Sequence, residues 1–390
     1  MDVSFSAEQS AFREEVRTWL AENAPRQPRP HGGQAIRDYD LAWQRTQWDA
    51  GWAGISWPAE YGGRGGTLIE QLIWYEEYAR AGLPSLDACF VGLNHAGPTL
   101  MVRASQEQKS FHLRRILSGE VIWCQGFSEP DAGSDLAGLS TRAEIDGDEL
   151  VVTGQKIWTS FAHLADWQEL LVRTDRHGSK HDGITWAICD MKSAGIDIRP
   201  IEMMDGSAEF CEVFYDEVRV PISNVVGEIN KGWSVAMSTL SFERGTAFTA
   251  GQVRLAGIVE DLIEAAKART GPDGRRVAID DDEIRRRLAT VRAEVAALRA
   301  MTYVGISRAA YSGAPGPEGS IVKLYYAELQ KEVGRLAMDI MGRDGLEFIS
   351  RWEPGGWSGY FLFSFAQSIG GGTSEIQRNI IGDRVLGLPR

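Results

Sequence analysis

Thr141-Arg142-Ala143-Glu144-Ile145-Asp146-Gly147-Asp148-Glu149-Leu150-Val151-Val152-Thr153 carries the pattern of a β-hairpin. Two runs suited to a pleated, half-buried surface flank Asp146-Gly147-Asp148-Glu149, which reads as a four-residue loop. Four more runs of the same texture follow: Trp167 to Val172, Ile184 to Asp190, Ile196 to Ile201 and Glu212 to Val220. Turn residues separate them and no long helical period intervenes, so the middle of the chain is expected to be an antiparallel barrel or sandwich. It begins near Val121.

On both sides of this region the apolar spacing is helical. Upstream, Phe5, Phe12, Val16, Trp19 and Leu20 fall at helix-face intervals, with Ser6 as N-cap and Pro25 as stop. Asp40 to Ala50, Leu68 to about Ala81 and Gln106 to Leu117 read as further helices. Downstream the helical period returns at Gly232. Asp280 and Glu283 suit a capping box ahead of Leu288, Val291, Val295, Leu298 and Thr302. Ile321, Tyr325, Leu329, Val333, Leu336 and Ile340 mark another long helix, whereas the Gly- and aromatic-rich stretch from Gly342 to Gly372 has no assignable period. The expected class is α+β in three domains: helical over 1–120, β over 121–228 and helical over 229–390.

Bulk properties narrow the function. A chain of 390 residues exceeds one ordinary domain. Its net charge of −13 argues against a nucleic acid or an anionic membrane as main partner, because both need a positive field. No stretch is apolar for long enough to span a bilayer, and no basic-then-apolar leader opens the chain, so a cytoplasmic protein is expected. Cys89, Cys124, Cys189 and Cys211 are scattered without a CxxC pair, which suits reduced thiols. The six histidines show no ligand spacing, and no metal site is expected.

Three segments carry chemistry. Phe127-Ser128-Glu129-Pro130-Asp131-Ala132-Gly133-Ser134-Asp135-Leu136 is a turn-rich loop whose small residues let backbone amides approach a ligand; alone it reads equally as a tight surface turn. In Gly154-Gln155-Lys156-Ile157-Trp158-Thr159-Ser160, strand alternation puts Trp158 and Ser160 on one face, as a wall for a flat ligand or as core packing. Gly370-Gly371-Gly372-Thr373-Ser374-Glu375-Ile376-Gln377-Arg378-Asn379 is a glycine run opening a polar helix, a form that suits phosphate.

Together, in this order and in an α-β-α layout, these segments resemble the acyl-CoA dehydrogenase family along essentially the whole chain. The resemblance implies an N-terminal helical domain, a middle β-barrel and a C-terminal four-helix bundle. It implies FAD as cofactor, an acyl-CoA thioester as substrate, an electron-transferring flavoprotein as acceptor and a dimer of dimers. By position, it gives Gln125, Phe127 and Ser128 to the flavin's pyrimidine side and Trp158 and Ser160 to the ring. Ser134 falls where the family contacts CoA. Arg269 stands at the place of an arginine for the FAD pyrophosphate of a neighbouring subunit, and Thr373 and Glu375 at that of contacts to the FAD phosphate and ribose. The thioester carbonyl is expected between the Gly371 amide and a ribityl hydroxyl.

The departures from the family pattern are as telling. Most members place the α-proton base immediately before Gly-Thr-Ser; here that residue is Gly371, which takes no proton. A minority place it in a Glu-Arg pair on another helix, and Leu240-Ser241-Phe242-Glu243-Arg244-Gly245 contains such a pair. Glu243 is therefore the candidate base, with Arg244 beside it near the substrate. The aromatic expected after Arg269 is replaced by Thr270-Gly271-Pro272, Asp339 replaces a glutamine, Gly342-Arg343 replaces a Gly-Gly pair, and Arg351 to Tyr360 diverges in a way that suits a reshaped substrate entrance. An α2β2 assembly and an oxidase-like flavoenzyme on the same fold stay open as alternatives to a homotetrameric dehydrogenase.

Overall fold

The computed structural model describes residues 5–242, 248–312 and 316–389. Helix α1 (Ala7–Asn23) begins at a capping box in which the Ser6 hydroxyl accepts from the Gln9 N–H and the Gln9 side chain accepts from the Ser6 N–H. It is followed by α2 (Gly33–Asp49), α3 (Leu68–Arg80), α4 (Gly97–Arg103) and α5 (Gln106–Leu117). Helix α2 starts about two turns before the expected Asp40, because its apolar contacts begin at the buried Ile36.

The β domain comprises β1 (Trp123–Gly126), β2 (Arg142–Asp146), β3 (Glu149–Ser160), β4 (Trp167–Arg173), β5 (Ile184–Asp190), β6 (Ile196–Ile201) and β7 (Phe210–Pro221). They form one seven-stranded sheet in the order β1-β4-β2-β3-β7-β6, with β5 on β4. Two features differ from the sequence reading. The β2–β3 turn is tighter than four residues: Asp146 pairs with Glu149, so only Gly147 and Asp148 lie outside the ladder, and Gly147 takes the left-handed φ of 63° that such a turn needs. The sheet is also not purely antiparallel, since β1 and β2 both run parallel to β4. Parallel neighbours need long connections, and between β1 and β4 the chain supplies one: the 127–141 loop and then the whole β2–β3 hairpin.

The C-terminal part contains α6 (Gly232–Phe242), α7 (Phe248–Ala268), α8 (Asp282–Ser312), α9 (Gly319–Met341), α10 (Trp357–Ser364) and α11 (Ser374–Ile380). The cap of α8 is Asp281 rather than Asp280; its carboxylate accepts from the Glu283 and Ile284 N–H groups. Leu255, Leu262, Leu288, Leu298, Leu336 and Ile340 form the apolar centre of α7, α8 and α9. A second core joins the first two domains, where Leu100, Leu113 and Leu117 meet Trp123, Leu171 and Trp186. Helix α3 packs on α7 and α8, which sets the N-terminal helices against the C-terminal bundle.

Buried charge locks the segment before α10. The Arg351 side chain is 7% exposed; its Nη2 lies 2.8 Å from Glu209 and its Nε 3.4 Å from Asp205, both just before β7. Its guanidinium stands 3.4 Å from the Phe363 ring centroid and 4.3 Å from that of Trp352. The divergent stretch is thereby fastened to the β domain.

Candidate active site

The first two chemistry-bearing segments meet at a buried ion pair that the sequence reading passed over. Lys156 is fully buried on β3; its ammonium donates to Glu129 Oε1 at 2.7 Å and to the Phe127 carbonyl at 3.0 Å. Glu129 also accepts from the Ser140 N–H (2.6 Å) and hydroxyl (2.9 Å) and from the Thr141 N–H (2.9 Å). The Ile157 N–H donates to the Ser128 carbonyl at 3.0 Å. Two residues read only as parts of a loop and a strand thus hold Phe127, Ser128, Trp158 and Ser160 in one place. The available signal was a lysine in phase with the inward-facing Leu150 and Val152 and a carboxylate in the loop, each needing a partner if buried.

Burial alone would raise the Glu129 carboxyl, but the Lys156 charge and the converging donors hold it down at about 2. Burial is likewise the main reason the Lys156 ammonium falls to about 8, against the pull of Glu129. Because the folded carboxyl lies below its ordinary value of 4.5, its contribution to stability is complete above that pH and disappears as pH falls toward about 2. The melting temperature should therefore drop steeply over this window, and Glu129→Gln should flatten the drop. An equally steep acid limb in the variant would exclude Glu129 as its source.

Strand alternation fails where the flat ligand is expected. The β3–β7 register slips between Lys156 and Thr159, and Trp158 adopts a left-handed φ of 60°. Thr159 is buried, Ser160 half-buried, and the Trp158 indole is 54% exposed, edge-on to Phe210 at 6.2 Å. A bulky residue at positive φ is strained, and core packing does not repay the strain because the ring faces outward. A planar group against that indole would, so the site fits a flavin. Gln125, on β1, is fixed from behind: its Nε2 lies 2.8 Å from the buried Glu169 and 3.4 Å from His95 Nδ1.

The C-terminal segment supplies a different kind of surface. Gly371 and Gly372 have φ of 63° and 85°, and among the described residues neither N–H meets an acceptor. Lys323 of α9 donates to the Gly372 carbonyl at 2.7 Å and the Gln367 carbonyl at 3.0 Å, while Gln377 donates to the Gly371 carbonyl at 3.0 Å. Thr373 caps α11 through its hydroxyl and the Ile376 N–H. Glu375 is largely exposed, 3.4 Å from Arg378.

Other expected contacts are placed elsewhere. Arg269, just after α7, pairs with Asp344 at 2.6 Å, and Ser134 lies exposed on the loop. Glu243 and Arg244 lie outside the described residues.

Between α3, the 85–94 stretch and α7 lies a cavity of about 220 Å³. Its walls include Trp52, Trp74, Tyr75, Phe90, Ala250 and Gly251, and it reaches Gln367. It therefore lies next to both parts of the site. Phe90 packs edge-on against His95, which meets Gln125, and Gln367 shares the Lys323 ammonium with Gly372.

Comparison with known proteins agrees with this arrangement. The acyl-CoA dehydrogenase N-terminal, middle and C-terminal domains match residues 6–120, 124–218 and 230–386 in turn. The chain is 40% identical to acyl-CoA dehydrogenase IpdE1 of Mycobacterium tuberculosis over 387 residues, 97% of each protein. Among solved structures, the Tcur3481-Tcur3483 steroid ACAD superposes with a TM-score of 0.86 at 33% identity, covering 100% of both chains. The ChsE4-ChsE5 complex from Mycobacterium tuberculosis gives 0.85 at 34%, again over 100% of both chains. With its three domains matched in order and its flavin-shaped surface in place, the chain belongs to the acyl-CoA dehydrogenase family, FAD-dependent oxidoreductases that dehydrogenate acyl-CoA thioesters.

Proposed function

We propose that this chain removes the α-proton of a bulky, cyclic acyl-CoA with Glu243 as base, Arg244 standing beside it. The observation that carries this reading is the cavity. It touches Ala250 and Gly251, the second and third residues after the start of α7, and so opens a few residues beyond Glu243 in the chain. An apolar cavity of roughly 150 Å³ takes a benzene ring, so 220 Å³ suits a substituted ring better than a thin straight chain. Relatives described as steroid dehydrogenases support the same class.

FAD, when bound, supplies the hydride acceptor for Cβ. This chain's residues do the rest. Gln125, Phe127, Ser128, Trp158 and Ser160 would hold the ring, and Thr373, Glu375 and a neighbour's Arg269 the phosphate half. Ser134 would meet CoA. The open Gly371 N–H would polarise the thioester carbonyl, which makes the α-proton acidic enough to transfer. Apolar walls raise the affinity of a buried carboxylate for a proton.

The domain limits follow the change of texture, at 120/121 and 228/229. We further infer a tetramer, either homomeric or α2β2; the two-component names of the related complexes support the latter. An electron-transferring flavoprotein would reoxidise it. Purified chain, alone and with a candidate partner, should show a flavin spectrum that bleaches when titrated anaerobically with cyclic acyl-CoAs. Rapid return of colour in air would instead favour an oxidase. A folded assembly that neither holds nor takes up FAD would overturn the assignment of these residues.

A further inference from the structure

The cavity wall has one feature that the dehydrogenation chemistry leaves unused. Among the described residues that line it there is no aspartate or glutamate, yet Arg254 is one of them. This arginine is half-buried and sits six residues into α7, roughly 9 Å along the axis from the helix start. It follows Ala250 and Gly251 by four and three residues and so shares their face.

Buried and half-buried arginines elsewhere have their donors met, Arg173 by the Asp182 carbonyl at 2.6 Å and the Ala137 carbonyl at 2.7 Å, and four others by carboxylates. Arg29 lies 2.7 Å from Asp40, Arg13 2.9 Å from Glu76, Arg299 2.6 Å from Glu76 and Arg351 2.8 Å from Glu209. Arg254 pairs with no carboxylate among the described residues; its one protein hydrogen bond there is a long 3.5 Å contact from Nη2 to the Leu83 carbonyl. The neighbouring Tyr78 hydroxyl is already committed, accepting from Trp43 Nε1 at 2.8 Å and donating to the Pro84 carbonyl at 2.9 Å. Tyr326 closes in on the same end because Gly251 has no side chain: a Cβ there would lie 2.3 Å from the Tyr326 hydroxyl oxygen. Tyr78, Tyr326 and Arg254 all line the cavity, and burial raises both phenols while the Arg254 charge opposes it.

A guanidinium taken partly out of water without a counter-charge is destabilising unless a ligand oxygen meets it. We propose that Arg254 recognises an oxygen acceptor, a carboxylate or a ring carbonyl, at the end of the acyl group remote from the thioester. The chain would thus be selective for oxygenated cyclic acyl-CoAs over plain hydrocarbon ones. This rests on reading the cavity as the acyl pocket.

The test uses binding, so that it stands apart from turnover. Three CoA thioethers, which lack the acidifying carbonyl and are not oxidised, would be titrated calorimetrically into the FAD-loaded assembly: cyclohexylpropyl, 4-oxocyclohexylpropyl and 4-carboxycyclohexylpropyl. Wild type should bind at least one oxygenated ligand roughly 10–100-fold more tightly than the plain one, the range of one charge-assisted hydrogen bond. A larger gain for the carboxylate than for the ketone identifies an anionic group; similar gains identify a neutral one. Arg254→Gln should abolish the preference, and Arg254→Lys should keep part of it for the carboxylate. Equal affinity of wild type for all three ligands overturns the proposal, as does an equal loss for all three in Arg254→Lys or Arg254→Gln. Flavin bleaching by the matching thioesters reports separately on dehydrogenation, so the failure of either reading is seen by itself.

Discussion

Replacing Glu243 with glutamine is expected to leave FAD and acyl-CoA binding in place while slowing flavin reduction about 10²–10⁴-fold, the range for loss of a general base. Glutamine keeps the volume and one acceptor but takes no proton. Glu375 is four residues past Gly371, but it is largely exposed and paired with Arg378 at 3.4 Å. Returning a carboxylate to position 371 meets a backbone obstacle: Gly371 has φ 63°, and a side chain in that region is disfavoured by roughly 1–2 kcal/mol. Gly371→Glu in the Glu243→Gln background should therefore restore little, and should itself lower stability. The deciding number is the anaerobic rate of bleaching. A Glu243→Gln enzyme that reduces as fast as wild type would sink the relocated base.

The second large effect is expected at Lys156→Met. The methionine fills the volume of the stem, but Glu129 is left ionised and 5% exposed, still facing the Ser140 and Thr141 N–H groups. Breaking a buried pair from one side typically destabilises by about 3–5 kcal/mol, here a fall in Tm on the order of 10 °C. FAD content should fall with it, because Phe127 and Ser128 lose their tie to β3. Adding Glu129→Gln should recover part of the loss, since the stranded charge is gone. A Lys156→Met protein with wild-type Tm and full FAD would mean that the pair does not hold the two segments together.

Much of this was legible in the residues. The α-β-α order, the ends of α5, β5 and β6 and the start of α6 follow from apolar period and turn residues, which are local signals. What escaped depends on contacts distant in sequence. The Glu129–Lys156 pair spans 27 positions. The slip at Trp158 is imposed by register against β7, and alternation along β3 alone gives no hint of it. Parallel pairing of β1 with β4 depends on how a loop and a hairpin cross over. Trp357–Ser364 forms α10 although the glycines around it obscure the helical period, because Ser350 and Arg351, outside its own sequence, close on its Gly359 and Arg351 covers its Phe363 ring. Residue types singled out Trp158, Ser128 and the Gly371 run, yet the cavity beside them left no trace in the sequence, because Arg254 and Phe90 share no motif.

Arg351 also has a temporal meaning for a chain that is made from one end to the other. Its partner Glu209 is 142 residues earlier. At about 5–20 residues per second of synthesis, the β domain has roughly ten seconds or more in which Asp205 and Glu209 face no Arg351 cation. Unscreened like charge in a closing pocket discourages final collapse. The β domain should thus reach its last packing only after α10 has emerged, which ties completion of the surface around Trp158 to completion of the C-terminal helices. A half-made chain would then be poor at capturing FAD, and cofactor loading would wait for the whole protein.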